Sequence, residues 1–233
     1  MSELICGTNL VKAAINESVK LLNLYIYTEN KEMISFSKEK GISFQKVDKI
    51  FLDKKMSNHQ GVIAEIKGFK LYDLKEIINP SKSSLIVMLE GLEDPHNLGA
   101  VLRTADAAGV DGIIIPKNRS VKLNSTVAKV STGAIFSVKT VEVVNFVQTI
   151  EKLKAAGYWI VGAEATANSS DYRSIKYDMP TVLVIGSEGK GISRLVSSKC
   201  DFLVQIPMRG KVNSLNASVS AGILIYEIKK DQE

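Results

Sequence analysis

The sequence predicts an α/β protein built on an open parallel sheet, with a smaller α/β unit ahead of it. Three observations lead there. Short aliphatic and β-branched runs at 85–89, 112–115, 159–163, 182–185 and 202–206 lack polar alternation, as expected of strands covered on both faces. Between them lie helical spacings, with Leu98, Val101, Leu102 and Ala105 at i, i+3, i+4, i+7, and Leu215, Val219, Gly222, Ile223 and Tyr226 forming a later stripe. A cluster of turn formers at 79–84, NPSKSS, breaks the chain before the first of these strands.

The elements follow in order. A strand at 24–27, a helix at 31–40, a strand at 43–47 and another at 61–66 alternate in the manner of a small α/β unit. This places one domain at residues 1–70, a linker at 71–83 and a larger domain at 84–233. A chain of 233 residues has room for that division. Apolar content of 45% and charged content of 24% are those of a globular protein, and no aliphatic run approaches the length of a membrane span. The N-terminus lacks a basic segment followed by an apolar one, and only two cysteines occur, Cys6 and Cys200, read as plain buried thiols. A reduced, cytoplasmic setting is expected.

Net charge is +5, which suits a polyanionic partner without proving one. The excess is spread: residues 1–80 hold 12 bases against 10 acids, and residues 81–233 hold 18 against 15. Locally, Lys117, Arg119, Lys122, Lys129 and Lys139 stand with no acid between Asp111 and Glu142. They form either a solvated face or a phosphate-contacting stripe.

In open α/β sheets ligands bind beyond the carboxyl ends of the strands, so the loops after strands are where chemistry is sought. The first, at 90–96, leads into a helix expected to begin near Asn97. Arg103 lies in that apolar helix; it either snorkels from a flank or forks onto a phosphate or carboxylate. His96 reads as a loop residue and not as a base. The second, GSEGKG at 186–191, fails both nucleotide-loop patterns, because Glu188 stands where a dinucleotide fingerprint needs glycine and Ile192 where a P-loop needs lysine. What remains is a backbone open to close approach, with one acid displayed over it or placed at a helix start. Such a site suits a cationic or neutral ligand.

The third loop, IPMRGKVNSLNAS at 206–218, concentrates hydrogen-bonding groups at the entry of the last helix. Asn213 or Ser214 is expected to cap that helix. Asn216 and Ser218 are expected inside it, where such residues compete with backbone bonds and point to another partner. Arg209 and Lys211 add phosphate-seeking charge.

Together, N-x-G-x-x-x-R-T-A at 97–105, G-S-E-G-x-G at 186–191 and I-P-M-x-G-x-V-x-S-L-N at 206–216 resemble the three motifs of the SpoU (TrmH-type) RNA ribose 2′-O-methyltransferases, in the right order and over residues 84–228. Residues 1–70, with NHQGV at 58–62, resemble the substrate-binding domain of the subgroup that methylates a guanosine of 23S ribosomal RNA. The resemblance implies a SPOUT-type catalytic domain with a C-terminal trefoil knot, preceded by a small α/β/α RNA-binding domain. It also implies a homodimer with the cofactor pocket by the subunit interface, S-adenosylmethionine as donor, no metal, and ribosomal RNA or an assembly intermediate as partner. By the same resemblance Gly186, Ile206 and Leu215, with Ser187, Met208 and Asn216 nearby, hold the donor. Asn97, Glu188, Ser214 and Asn216 orient the reacting hydroxyl, and Arg103, never deprotonated in proteins, anchors the adjoining phosphate. Lys117, Arg119, Lys122, Arg209 and Lys211 are the expected RNA contacts. The 2′-hydroxyl makes RNA, not DNA, the substrate. The rival readings are the same chemistry on transfer RNA or another ribosomal nucleotide, an antibiotic-resistance site included, and a catalytically silent RNA-binding protein.

Overall fold

The computed structural model describes residues 2–81 and 83–232; Lys82, in the expected linker, lies outside the described residues. In the N-terminal unit β1 (Glu3–Cys6), α1 (Thr8–Asn16), β2 (Leu21–Tyr27), α2 (Lys31–Glu39), β3 (Gln45–Val47), α3 (Lys49–Lys55) and β4 (Val62–Ile66) follow one another. The sheet order is β1-β4-β2-β3, antiparallel except for the β2–β3 pair. The three expected strands are present. Unforeseen were β1, only four residues long, and the helices α1 and α3.

The larger unit runs β5 (Leu85–Leu89), α4 (Pro95–Ala107), β6 (Gly112–Pro116), α5 (Ser125–Val130), α6 (Ala134–Ser137), β7 (Thr140–Val143), α7 (Phe146–Ala155), β8 (Trp159–Ala163), β9 (Ser170–Asp171), β10 (Thr181–Ile185), α8 (Arg194–Ser197), β11 (Phe202–Gln205) and α9 (Ala217–Gln232). Its seven strands are parallel in every pairing, in the order β7-β6-β5-β10-β8-β11-β9. β10 therefore enters between β5 and β8, and β11 between β8 and β9. Every residue of β5 and β10 is buried, which explains their long apolar runs. Each large aliphatic side chain so placed contributes about 1.5–3 kcal/mol.

The two units share one packed core, to which Val11 and Ile26 of the first and Val127 and Ala134 of the second belong. Gly133, with φ of 100°, lets α6 close on α1; a Cβ there would stand 2.4 Å from that of Ala13. Phe69 and Phe136 stack nearby, centroids 5.9 Å apart. No helix among the described residues is long and apolar enough to cross a membrane.

One helix face departs from expectation. Of the stripe through Val219, Gly222, Ile223 and Tyr226, Val219 and Tyr226 face outward, about half exposed, and Gly222 and Ile223 are partly covered, while α9 buries Ala217, Ala221, Leu224, Ile225 and Ile228. Both sides of the helix are apolar, so spacing alone selects neither. Leu215 precedes the helix. α9 lies against α4, with Thr104 Cγ2 3.8 Å from the Cβ position of Gly222.

Candidate active site

A pocket of about 660 Å³ opens over the ends of three neighbouring strands, where β10, β8 and β11 finish at Ile185, Ala163 and Gln205. The stretch 186–191 forms one wall. Ser187 N–H donates to the Gly191 carbonyl at 3.1 Å and Gly191 N–H to that of Ser187 at 2.9 Å, closing the segment into a tight loop. Glycine is obligatory at 186, since a Cβ there would fall 2.0 Å from the Gly191 carbonyl carbon and 2.4 Å from the Ile192 nitrogen. Glu188 therefore occupies a turn, not a helix start; the next helix, α8, begins only at Arg194. Its base is tied down by Glu90, whose Oε2 accepts from Ser193 N–H at 2.9 Å.

The opposite wall is the entry of α9. Its cap is Asn216, and neither Asn213 nor Ser214: the Asn216 Oδ1 accepts from Ser218 N–H at 2.9 Å and from Ser218 Oγ at 2.6 Å, and its carbonyl accepts from Ser220 N–H. Asn216 is thus outside the helix. Capping with Oδ1 frees the amide nitrogen, which donates to Glu188 Oε1 at 2.8 Å.

The same oxygen accepts a second bond, at 2.7 Å, from Nδ2 of Asn97. Asn97 is buried in the first turn of α4, a helix that starts at Pro95, two residues earlier than expected, behind the cap of Asp94. Glu188 thereby joins three stretches that lie 91 and 28 residues from one another. Arg103 sits six residues beyond Asn97, about 9 Å by helical rise. It is exposed and makes no hydrogen bond or ion pair among the described residues, and it does not line the pocket.

Gly186, Ser187, Ile206, Met208, Ser214, Leu215 and Asn216 all border the cavity. Glu164, Gln205 and Ser220 also border it and were not foreseen; Glu164 directly follows β8, so the strand-end rule held the signal. Its Oε2 accepts from Ser197 Oγ at 2.7 Å. Two carboxylates, Glu164 and Glu188, against one ammonium, Lys190, line the pocket, an imbalance that favours a cationic ligand.

The charged stripe divides. Lys122 is committed to Glu142 at 2.9 Å and to the Lys117 carbonyl, and Lys139 to the Glu76 carbonyl at 2.9 Å. Both remain exposed, and such surface pairs are weak enough to exchange for a phosphate. Lys117, Arg119 and Lys129 remain exposed. Arg209 and Lys211 are exposed on the loop before α9, outside the pocket lining. Asp171, near Arg209, is held at about 2 by its hydrogen bonds to Arg173. Cys6 is buried and Cys200 only partly so; burial raises both thiols, Cys200 to about 12.

A strand-end pocket over a reordered parallel sheet, joined to a separate small α/β unit, defines the class as an RNA ribose methyltransferase once known proteins are compared. A model described as the SpoU rRNA methylase family matches residues 84–226, and one described as RNA 2′-O ribose methyltransferase substrate binding matches residues 4–72. The chain belongs to the SpoU family. A Staphylococcus haemolyticus protein named for the TrmH family of tRNA/rRNA methyltransferases is 48% identical over 235 residues, covering 96% of this chain and 94% of its own. The AdoMet-bound rRNA methyltransferase of Sinorhizobium meliloti superposes with a TM-score of 0.83 at 28% identity, covering 98% of this chain and 87% of its own. The SpoU methyltransferase AviRb of Streptomyces viridochromogenes shares the fold, with a TM-score of 0.87 at 24% identity over 99% of this chain and 90% of its own.

Proposed function

We propose that the chain transfers a methyl group from S-adenosylmethionine to the ribose 2′-hydroxyl of a guanosine in 23S ribosomal RNA. The observation that carries this is the shared oxygen of Glu188, which ties Asn97 to Asn216 at the edge of the pocket. The site fits the donor. Its volume is that of a cofactor pocket, its charged lining favours a cation, and at Gly186 a side chain would collide with backbone. Backbone at Gly186, Ile206 and Leu215, with Ser187, Met208 and Asn216, holds the donor. When bound, the donor supplies an electrophilic methyl group on sulfonium.

The chain's own task is alignment and water exclusion, worth roughly 7–11 kcal/mol in a well-oriented displacement. Asn97, Asn216 and Ser214 position the hydroxyl together with Glu188, and of these four only the Glu188 carboxylate has the basicity to take up its proton. Arg103, with no internal partner, is free to fork onto the phosphate beside the target ribose. Lys117, Arg119, Lys122, Arg209 and Lys211 extend the contact along the RNA. Residues 1–70 form the substrate-binding domain, 71–83 the linker and 84–233 the catalytic domain, whose strand order accommodates the trefoil knot expected of the family. The protein works in the cytoplasm as a homodimer, and the apolar stripe of Val219 and Tyr226 supports that assembly.

The test is label transfer from tritiated donor to 23S RNA, 16S RNA and transfer RNA isolated from cells lacking the gene. Label at a 23S guanosine 2′-oxygen is expected. Label confined to transfer RNA moves the target, and no label, with donor binding also absent, leaves only an RNA-binding protein. Arg103→Ala is expected to lower transfer by about 10²-fold through misplacement of the ribose, with donor affinity unchanged.

A further inference from the structure

The N-terminal unit has a cleft of its own, about 460 Å³, bordered by Tyr27, Lys49, Asp53, Asn58, Gln60 and Gly61. The last three belong to the NHQGV stretch. All three have positive φ, at 55°, 52° and 78°, a region that glycine and asparagine adopt readily and that Gln60 disfavours. Buried His59 holds this backbone in place. Its Nδ1 accepts from Gly61 N–H at 2.9 Å, so Nε2 carries the proton and donates to Asp53 Oδ1 at 3.0 Å. The histidine is therefore a brace. Asn58 and Gln60 are both exposed; Gln60 Oε1 accepts from Thr8 N–H at 3.1 Å, which leaves its Nε2 to face a ligand.

The same cleft is flanked by α3, an unusual surface helix. Leu52 is its one buried residue, while Ile50 and Phe51 are 64% and 36% exposed. Phe51 lies 5.1 Å from the Tyr25 ring, and the Lys55 ammonium stands 4.9 and 5.2 Å from the two centroids. Lys46, Lys49, Lys54 and Lys55 are exposed, and none is ion-paired among the described residues. The nearby acids have other partners: Asp48 caps α3 through Phe51 N–H, Asp53 holds His59, and Glu65, within electrostatic reach of Lys55, accepts from Asn23 Nδ2 at 2.7 Å.

Exposed aromatic surface interleaved with unpaired ammonium groups is the chemistry that grips single-stranded nucleic acid, by stacking bases and pairing phosphates. We propose that α3 and the 58–61 loop bind an unpaired segment of the RNA substrate, with a base on Phe51, base edges at Asn58 and Gln60, and phosphates on Lys49 and Lys55. Charge selects this occupant over a protein, since Lys46, Lys49, Lys54 and Lys55 outnumber Asp48, Asp53 and Glu65 there and none is ion-paired to them among the described residues. Duplex RNA, whose bases are already stacked and paired, does not satisfy it. This surface rests on the reading of the chain as an RNA methyltransferase and adds where the strand is gripped outside the donor pocket.

Full-length protein is titrated with a labelled mixed-sequence single-stranded RNA and a blunt RNA duplex of equal length, followed by anisotropy. Phe51→Ala is expected to weaken single-strand binding by roughly 5- to 150-fold, the range for one stacked base, and to leave duplex binding unchanged. The double variant K49A/K55A should flatten the salt dependence by about 1.4 in slope, for two phosphates lost. Phe51→Leu, which keeps apolar bulk, should not restore affinity. Full rescue by leucine, or single-strand affinity within twofold of wild type in both F51A and K49A/K55A, overturns the proposal; the second result would hand the face to a protein partner. Failure of the wild type to methylate any RNA sinks the functional reading instead, and that result is separable because each variant is scored on binding.

Discussion

Glu188 joins the three walls of the site, and its charge and its geometry can be separated. Glutamine at 188 keeps an oxygen for Asn97 and Asn216 but removes the negative charge, whereas alanine removes both. A cavity of 660 Å³ is about 9 Å across, so a carboxylate on its wall and a bound sulfonium attract by roughly 2 kcal/mol at an effective dielectric of 20. Glu188 is exposed at the mouth, and salt screening over one Debye length cuts that value to about a third. Glu188→Gln should then weaken S-adenosylmethionine binding about 3-fold while leaving the neutral S-adenosylhomocysteine nearly unaffected. Glu188→Ala should weaken both ligands and also strand the buried Asn97 amide, at about 1–2 kcal/mol, lowering the melting temperature by about 2–8 °C for a chain of this size. Isothermal titration with the two ligands and a thermal melt read these effects. Equal losses of both ligands in Glu188→Gln, or an unchanged melting temperature in Glu188→Ala, would refute the assignment of Glu188 as charge partner and tie.

Gly186→Ala should abolish donor binding with the protein still folded, because the new Cβ collides with the Gly191 backbone and the loop must open; calorimetric affinity within a few fold of wild type would contradict the turn described. Val219→Asp with Tyr226→Asp should yield monomers in sedimentation if the outward stripe of α9 is the dimer contact, and an unchanged sedimentation coefficient would discard it. Burial raises the Cys200 thiol from 9.0 to about 12, so the folded state binds its proton more tightly than the unfolded one. Its stabilisation is complete below pH 9.0 and is lost as pH climbs from there toward about 12. Cys200→Ala should remove that alkaline decline in denaturation midpoints measured across this window, and an identical decline would assign it to other groups.

Much of this arrangement is written locally. β5 and β10 were legible because burial of every residue selects long apolar runs, broken only at Thr181, whose hydroxyl donates to the Met179 carbonyl, and the glycine turn was legible because its spacing excludes phosphate loops. Short edge strands were not: β9 has two residues and β7 is half polar in TVEV, too little for a period to register. The α9 face was misjudged because Leu215 prolonged a false stripe past the true start of the helix, and the same error put Asn216 inside it. The bond from Asn97 to Glu188 spans 91 residues, and no local pattern encodes it. Strand order is equally invisible, since inserting β10 between β5 and β8 leaves every strand's own sequence unchanged.

That insertion sets a schedule for biosynthesis. Ala217, Ser220 and Leu224, on the last helix, complete the cavity begun by residues more than fifty positions earlier. A nascent chain halted anywhere short of the final helix has strands but no seat for a donor, so ligand-dependent protection against proteolysis arises only in finished molecules.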